Sequence, residues 1–317
     1  MTRKDIAVAL LLTVLCAVVA LASPQFLSAT NLQNVSRLVG TYGIFSIGVG
    51  LVIITGGIDL SVGSICALLG VLLSMMLVEW HWPPIVALGA ALAIGAGLGA
   101  VHGLLITRLR LQPFIVTLCG LLLYRGAARY IARDSTKGFG TGEGFEWLRT
   151  LASGSVGWVP MPFVLLAIVA IAAWLLLHRS VFGRHLVAIG RNEEAARYAG
   201  IQTQAVVAWA YVMSGMLAAM SAVIIAFYTN SISPASHGNF YELYAIAAAV
   251  VGGCSLRGGE GSIAGIVMGA ALLQVLRNLV NLLDIPGSLD FAVMGAVILL
   301  GAIADQLVAR QSRRTQH

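Results

Sequence analysis

Long apolar stretches separated by short polar segments dominate the hydrophobic pattern of this chain. A bilayer core needs about 20 apolar residues as a helix. Ten segments reach or approach that length: 6–22, 39–54, 62–78, 85–107, 114–131, 161–178, 206–227, 243–253, 262–282 and 290–307. The pattern predicts an all-α, polytopic membrane helix bundle of about ten transmembrane helices.

Two of these segments are irregular. The second runs into Gly56 and Gly57, and the eighth, 243–253, is short. Backbone that leaves a helix inside a bilayer is tolerated where protein or water covers its free polar groups. We therefore expect interrupted spans within a single transmembrane domain that covers residues 1–317.

Composition agrees with this prediction and excludes a soluble enzyme. Only 10% of the residues are charged, against about 25% in soluble globular chains. The 36 glycines suit close helix packing in lipid. Two glycine stripes at helical spacing predict packing faces, with a subunit contact as the alternative. They are Gly95, Gly99 and Gly103 in the fourth span, and Gly261, Gly265 and Gly269 in the ninth.

The net charge of +6 is interpreted first as a topology signal and not as a nucleic-acid surface. With the N-terminus inside, ten crossings return the C-terminus inside. The inner side then holds Arg3, Lys4, Arg108, Arg110, Arg179, Arg184, Arg191, Arg197, Arg257, Arg310, Arg313 and Arg314, and the outer side Arg37, Arg129, Arg133, Lys137 and Arg149. This bias predicts an inner loop at 179–205 and an outer loop at 132–160.

The motif LVIITGGIDLSVGS, residues 51–64, joins two predicted spans on the inner side. Gly56 and Gly57 suit a helix break, and Asp59 or Ser61 suits the cap of the next helix. One interpretation is a cytoplasmic turn with a capping aspartate. The other is a broken segment at the inner mouth of a pathway, because ionisable groups at membrane depth are costly and usually functional. In both, we expect Asp59 to be structural or gating and not a proton carrier.

A second motif, GGCSLRGGEGS at 252–262, lies on the same predicted side. Its glycines indicate tight turns, and Arg257 and Glu260 are expected to pair with each other or to cap helices. The phosphate-binding pattern GxxxxGK[ST] does not occur in the chain. ATP hydrolysis by that route is therefore excluded, and any energy comes from elsewhere.

The third motif, GRHLVAIGRNEEAARYAGI at 183–201, predicts a short helix in the basic inner loop. Asn192 suits its N-cap, Glu193 and Glu194 suit its positive end, and Gly200 suits its C-terminal stop. Glu193 and Arg197 are spaced to pair. The helix either packs on its own protein or acts as a lever for a cytoplasmic partner. In the second case Ala195, Ala196 and Ala199 offer a small-residue face.

Other polar and aromatic residues carry weaker signals. His102 is expected to be a hydrogen-bonded core residue. The outer half of the ninth span is polar, as the wall of a water-lined path would be: Gln274, Arg277, Asn278 and Asn281. Tyr42 and Phe45 are either pathway or packing residues. The four cysteines lie far apart without a CxxC pair, so we expect no metal site.

At these motifs the chain resembles the permease subunits of bacterial ATP-binding-cassette importers for monosaccharides, of the ribose, xylose and arabinose type. The resemblance rests on TGGIDLSVGS (55–64), QPFIVTL (112–118), GRNEEAARYAGI (190–201) and YELYAIAAAVVGGCSLRGGEGS (241–262). It covers nearly the whole chain. Cys254 stands where that family usually has glycine, and residues 121–133 are richer in arginine than is common.

The resemblance implies a multi-pass protein of the bacterial inner membrane that forms the path for a pentose or hexose by alternating access. It implies a second permease subunit, identical or different, a periplasmic sugar-binding protein, and cytoplasmic ATPase subunits that hold ATP and Mg²⁺. This chain would itself hold no cofactor and would not be an enzyme. Residues 192–200 would be the coupling helix.

Three other classes of protein compete with this one. A passive channel needs no cytoplasmic lever, which the capped helix at 192–200 argues against. A membrane-embedded enzyme needs a clustered catalytic set, and Asp59 and His102 have no evident partners in the sequence. Ion-driven transport favours several acidic residues within spans, where Asp59 is almost alone.

Overall fold

The computed structural model describes residues 3–140 and 144–284, and the single positions 289, 292, 295, 296 and 299. Within these residues eight helices are long and apolar enough to cross a membrane, and a ninth apolar helix is shorter. The polytopic all-α architecture predicted from the sequence is therefore confirmed. Apart from those single positions, the predicted tenth span, 290–307, lies outside the described residues, as do Arg310, Arg313 and Arg314.

The helices follow one another with short connections. In the first half they are α1 (Arg3–Ala22), α2 (Ala29–Ile54), α3 (Val62–Ser74), α4 (Pro84–Arg108), α5 (Pro113–Ala132) and α6 (Glu146–Ser153). In the second half they are α7 (Met161–Arg179), α8 (Val181–Arg191), α9 (Glu193–Tyr198), α10 (Thr203–Thr229), α11 (Tyr241–Val251) and α12 (Ile263–Leu282). A 3₁₀ turn, Pro24–Leu27, precedes α2, and a π turn, Met75–Glu79, follows α3.

The second span is longer than its predicted bounds, 39–54. α2 begins at Ala29, where the Ser28 hydroxyl accepts a hydrogen bond from the Asn31 backbone N–H. The apolar window missed this first part because Asn31 and its neighbours are polar. Asn31 instead exchanges two hydrogen bonds, of 3.0 and 2.7 Å, with Asn278 of α12. A membrane helix thus includes a polar residue where a side chain on a neighbouring helix satisfies the hydrogen-bonding groups of that residue.

The core of the bundle lies around α2, α3 and α10, whose side chains are mostly buried. By contrast, α1, α4, α5 and α7 expose most of their side chains, as helices that face lipid do. α4 lies against α10 along the stripe of Gly95, Gly99 and Gly103, where an added Cβ would collide with α10 atoms. Gly265 and Gly269 meet α11 and the turn after it in the same way, and Gly261 meets Cys254 and Ile54. Both stripes therefore pack within the chain.

The predicted outer loop, 132–160, contains regular structure. Strands β1 (Lys137–Gly138) and β4 (Ser231–Ile232) pair antiparallel, and β2 (Ser155–Val156) pairs with β3 (Val159–Pro160). Phe139, Phe145 and Leu148 are buried. This end of the bundle is thus capped by a small folded layer.

Two non-helical segments lead into helices α3 and α11. The inner break, residues 55–61, separates α2 from α3, and the outer break, residues 233–240, precedes α11. Gly63, which lies near the start of α3 just after the inner break, contacts the outer break. A Cβ added at Gly63 would collide with the Gly238 carbonyl oxygen and the Glu242 carboxylate. Two helices, α3 and α11, therefore begin next to each other inside the bundle.

Candidate functional site

The inner break is organised around Asp59, whose side chain is 0% exposed. Oδ1 accepts hydrogen bonds from the Ser61 backbone N–H at 3.0 Å and from the Ser61 hydroxyl at 2.7 Å. Oδ2 accepts a hydrogen bond from the Ser214 hydroxyl of α10 at 2.8 Å. The carboxylate also lies just before α3, whose N-terminus favours negative charge. These contacts explain how a carboxylate is held in the interior.

His102 extends this hydrogen-bond network, which contradicts the expectation that Asp59 and His102 lack partners. Its Nδ1 lies 3.4 Å from the Ser61 Oγ, and its Nε2 lies 2.9 Å from the Tyr124 hydroxyl. When the Tyr124 hydroxyl donates to Nε2 and Nδ1–H donates to the Ser61 hydroxyl oxygen, a neutral histidine satisfies every polar group in this hydrogen-bond network. His102 is thus a hydrogen-bonded core residue, as predicted. The sequence lacked the signal because α4, α5 and α10 join the inner break only in three dimensions.

The capping of α9 agrees with the prediction. The Asn192 Oδ1 accepts a hydrogen bond from the Ala195 N–H at 2.9 Å, and Gly200 closes the helix with a φ of +82°. Two details differ. Arg197 lies 4.0 Å from Glu194 and not beside Glu193. Ala196 is 5% exposed and, together with Ala195 and Ala199, lines a groove in the surface of this protein, so the three alanines form a recess and not a projecting face.

The exposed surface of α9 has a different shape from the predicted one. Ala195 and Ala199 line a groove of about 580 Å³ between α9 and α8. Beside it, the Tyr198 side chain is 81% exposed, and aromatic residues are enriched at protein–protein interfaces relative to the rest of a protein surface. Sequence reasoning passed over Tyr198 because one tyrosine in a polar motif carries no periodic signal.

A junction of backbones connects α8 with the inner break. An added Cβ at Gly190 would collide with the Ile54 carbonyl oxygen and the Gly259 nitrogen. The Gly259 N–H donates to the same Ile54 carbonyl at 2.8 Å. Gly258 and Gly259 have φ values of +85° and +74°, which favour glycine. Gly258 and Gly259 of the 252–262 motif therefore serve this close contact.

The acidic residue of the same motif has a partner other than the one expected. Glu260 pairs with Lys4 at 2.8 Å and not with Arg257. The contact ties the start of α1 to the 252–262 segment. Both residues were predicted on the inner side, so the pair agrees with that assignment.

A cavity of about 980 Å³ opens at the inner end of the bundle. Its walls include Glu193 and Arg197 of α9, Arg108 at the end of α4, and Gly57 and Tyr211 beside the inner break. The Tyr211 hydroxyl donates to the Ile58 carbonyl at 3.4 Å. The capped helix and the inner break therefore share one solvent-accessible space.

The remaining pathway candidates lie in the interior of the bundle. The rings of Tyr42 and Phe45 meet the Tyr241 ring edge to face at 5.1 and 5.8 Å. Asn278 is paired with Asn31, as described above. Gln274 is buried, and its Oε1 has no hydrogen-bond partner among the described residues. These positions favour packing roles, and a role in the pathway stays a prediction.

Comparison with known proteins identifies relatives across most of the chain. Residues 31–302 match the family described as the permease component of branched-chain amino acid transport systems. The chain is 39% identical to the ribose import permease protein RbsC of Escherichia coli (strain K12) over 93% of this chain and 91% of that protein. It is 38% identical to RbsC of Bacillus subtilis (strain 168), over 93% and 90%. It is 32% identical to the xylose transport system permease protein XylH of Escherichia coli (strain K12), over 90% and 87%.

No solved structure matches the chain. The family match and the apolar helices together indicate a multi-pass inner-membrane protein. The family consists of transporter permeases and not of enzymes. This chain belongs to the family of permease components of branched-chain amino acid transport systems, in which its relatives include sugar import permeases.

Proposed function

We propose that the chain forms the translocation pathway of an ATP-driven importer for a monosaccharide, a pentose or a hexose. The relatives named for ribose and xylose support a sugar as the substrate. The proposed complex has a second permease subunit, two cytoplasmic ATPase subunits that hold ATP and Mg²⁺, and a periplasmic binding protein that delivers the sugar. The sugar passes without covalent change.

The observation that carries this proposal is the capped helix α9, seated on α8 with Tyr198 exposed. This chain has no GxxxxGK[ST] phosphate-binding loop, so in this proposal energy enters through a cytoplasmic surface. The Tyr198 ring and the groove beside Ala195 and Ala199 offer a projecting side chain and a recess to an ATPase. Aromatic anchors of this kind dominate binding energy in many interfaces.

The contacts below α9 offer a route from that surface to the pathway. α8 touches the end of α2 and the 252–262 turn through backbone atoms at Gly190. Backbones in such contact move together, because close-packed groups have little room to adjust separately. A displacement of α8 and α9 therefore shifts Ile54, and with it the inner break. Alternating access in this proposal is a change in the packing of that break.

The test is uptake of labelled ribose, xylose and allose into proteoliposomes that contain the chain with its ATPase and binding protein. We expect ATP-dependent uptake of at least one sugar. Tyr198→Ala should reduce uptake strongly, since loss of an aromatic anchor costs about 2 kcal/mol or more. Tyr198→Phe, which keeps the ring, is the matched control. ATP-independent flux would indicate a passive channel, and normal uptake by Tyr198→Ala would remove the coupling role.

Ala196→Glu is not an informative test of the docking surface. Ala196 is 5% exposed and packs within the chain, so a glutamate there buries an unpaired charge at a cost of several kcal/mol. We expect this substitution to displace α9 from its packing against the rest of the protein. Ala195→Glu, on the exposed side of the same turn, tests the docking surface instead.

A further inference from the structure

The outer break descends into the middle of the membrane. At its start Ile232 lies against Gly70 of α3, and near its end Gly238 lies against Gly63. Those seven residues of α3 correspond to about 10 Å of helix rise. Tyr241, the next residue after the break, meets Tyr42 and Phe45, which lie near the centre of the 26-residue α2. The segment therefore reaches the level of the bilayer midplane.

At that depth the outer break exposes polar groups. Ser236 and Asn239 are exposed, and the Phe240 side chain is 46% exposed beside them. Irregular backbone and polar side chains are not tolerated against lipid tails, and occur at membrane depth only where protein or water covers them. The exposed side of this segment is therefore a water-lined wall or a subunit contact, and not a lipid-facing surface.

The segment is held in a fixed conformation. The Arg125 guanidinium of α5 donates to the carbonyl oxygens of Pro234 at 2.9 Å and His237 at 2.6 Å. The Asn239 Nδ2 donates to the Ala235 carbonyl at 2.9 Å. Phe240 has a φ of +64°, a conformation that a bulky residue adopts only when its surroundings impose it. Strain of this kind concentrates at functional sites.

We propose that residues 235–240 form a contact surface for the translocated monosaccharide at the middle of the membrane. A sugar ring has an apolar C–H face and a rim of hydroxyl groups. The exposed Phe240 ring suits the apolar C–H face. The oriented Asn239 amide suits the hydroxyl groups, because amides both donate and accept hydrogen bonds. The surface deepens the proposed function and rests on it. It lies apart from Tyr42 and Phe45, which face the interior of the bundle.

The first experiment asks whether water reaches this surface in the assembled complex. Ser236→Cys and Asn239→Cys, in a version without the native cysteines, are treated with a charged methanethiosulfonate. Val14→Cys is the matched control, because Val14 lies near the middle of α1 and is 52% exposed on a lipid-facing helix. We expect the two variants to react about tenfold faster than the control or more, because the thiolate forms only where water is present. Reaction as slow as the control's would overturn the proposal and would indicate a subunit contact.

The second experiment asks whether the surface contacts sugar. Ribose, xylose or allose, whichever the parent complex imports, should slow labelling of Asn239→Cys severalfold. Phe240→Ala and Asn239→Ala should raise the KM for uptake or lower its maximal rate, whereas Phe240→Tyr keeps the ring and should stay near the parent. ATPase activity stimulated by the binding protein should persist in all three. Normal uptake by both alanine variants, together with unprotected labelling, would remove the sugar contact.

The two proposals fail in different ways. If the parent complex imports no pentose or hexose, the proposed function is wrong, and the labelling rates still decide whether the wall is water-lined. If the parent imports a sugar but the outer break is unreactive, the function stands and the contact surface is wrong.

Discussion

The inner break and the outer break are both non-helical segments that precede a helix of the bundle, and they differ in how their polar groups are covered. At the inner break Asp59 is fully buried and accepts hydrogen bonds from Ser61 and from Ser214 of α10, while Gly56 is exposed to the cavity. At the outer break, one side is held by Arg125 while Ser236 and Asn239 remain exposed. Free polar groups of a membrane segment need either protein or water. Protein covers the Asp59 side chain of the inner break, and in the proposed contact surface water covers the exposed side of the outer break.

The difference indicates that the two segments have different roles. A covered, fully hydrogen-bonded network holds one arrangement of α3, α4, α5 and α10, and it changes only as a unit. An exposed segment with a fixed backbone is able to contact a solute without moving. We therefore expect variants of the inner break to affect folding and gating together. Variants of the exposed side of the outer break should affect transport alone.

The largest effect is expected for Asp59→Leu. It removes the acceptor of three hydrogen bonds and leaves the Ser61 and Ser214 hydroxyls buried without it. Each unsatisfied buried group costs about 1–3 kcal/mol, so the variant should accumulate poorly and lose most of its uptake. Asp59→Asn keeps one oxygen acceptor and should retain partial uptake. The amount of folded protein after detergent extraction and the uptake rate measure the two effects.

Asp59→Asn also tests the expectation that Asp59 does not carry a proton. Complete loss of uptake with normal assembly, together with proton flux coupled to uptake in the parent, would show that the carboxylate titrates during transport. The inner break would then take part in proton transfer during transport, in addition to its structural role.

Local sequence signals predicted the helices and the α9 cap, because both depend on neighbours along the chain. Apolar runs define spans, and Asn192 with Gly200 defines a short helix. The partners of Asp59 were not predictable in this way. Ser214 lies 155 residues away and His102 lies on another helix. Which polar residues meet across a bundle depends on helix rotation, which a single sequence does not specify.

The outer break illustrates the same limit more strongly. The short eighth span was recognised, but not the descent of residues 233–240 into the membrane. The role of Arg125 appears only from the two carbonyl groups to which it donates hydrogen bonds. Conversely, Tyr42 and Gln274 were selected because polar and aromatic residues suit a pathway, and the fold buries both. The residue types indicated that these side chains need polar or aromatic neighbours. Which neighbours they contact depends on the direction of each side chain in the fold.

A smaller effect, confined to the outer break, is expected for Arg125→Leu. It removes two charge-assisted hydrogen bonds that hold the Pro234 and His237 carbonyls, each of which contributes about 1.5–3 kcal/mol. The bundle should still assemble, because the bonds hold one segment and not the packed core. Uptake should fall more than the amount of folded protein does. Arg125→Lys keeps one donor group and should recover part of the uptake, and equal losses in uptake and folding would contradict a local role.

The smallest effect, and the most direct comparison of the two breaks, is expected for Thr117→Val beside Ser236→Ala. The Thr117 hydroxyl lies 3.2 Å from the Ile58 carbonyl oxygen of the inner break and 2.9 Å from the Pro113 carbonyl oxygen of its own helix. Valine has nearly the same shape, so the loss is confined to hydrogen bonding and should amount to about 1 kcal/mol.

Thr117→Val should therefore lower the thermal stability of the purified complex slightly, because its hydroxyl contacts covered backbone. Ser236→Ala removes an exposed hydroxyl whose place water takes, and it should leave stability unchanged. If the outer break contacts sugar, Ser236→Ala should still change the KM for uptake, whereas the effect of Thr117→Val should follow the amount of folded protein. Thermal denaturation and uptake kinetics on the same preparations measure both. A stability loss in Ser236→Ala equal to that in Thr117→Val would mean that protein covers the outer break as well, and the distinction between the two breaks would be lost.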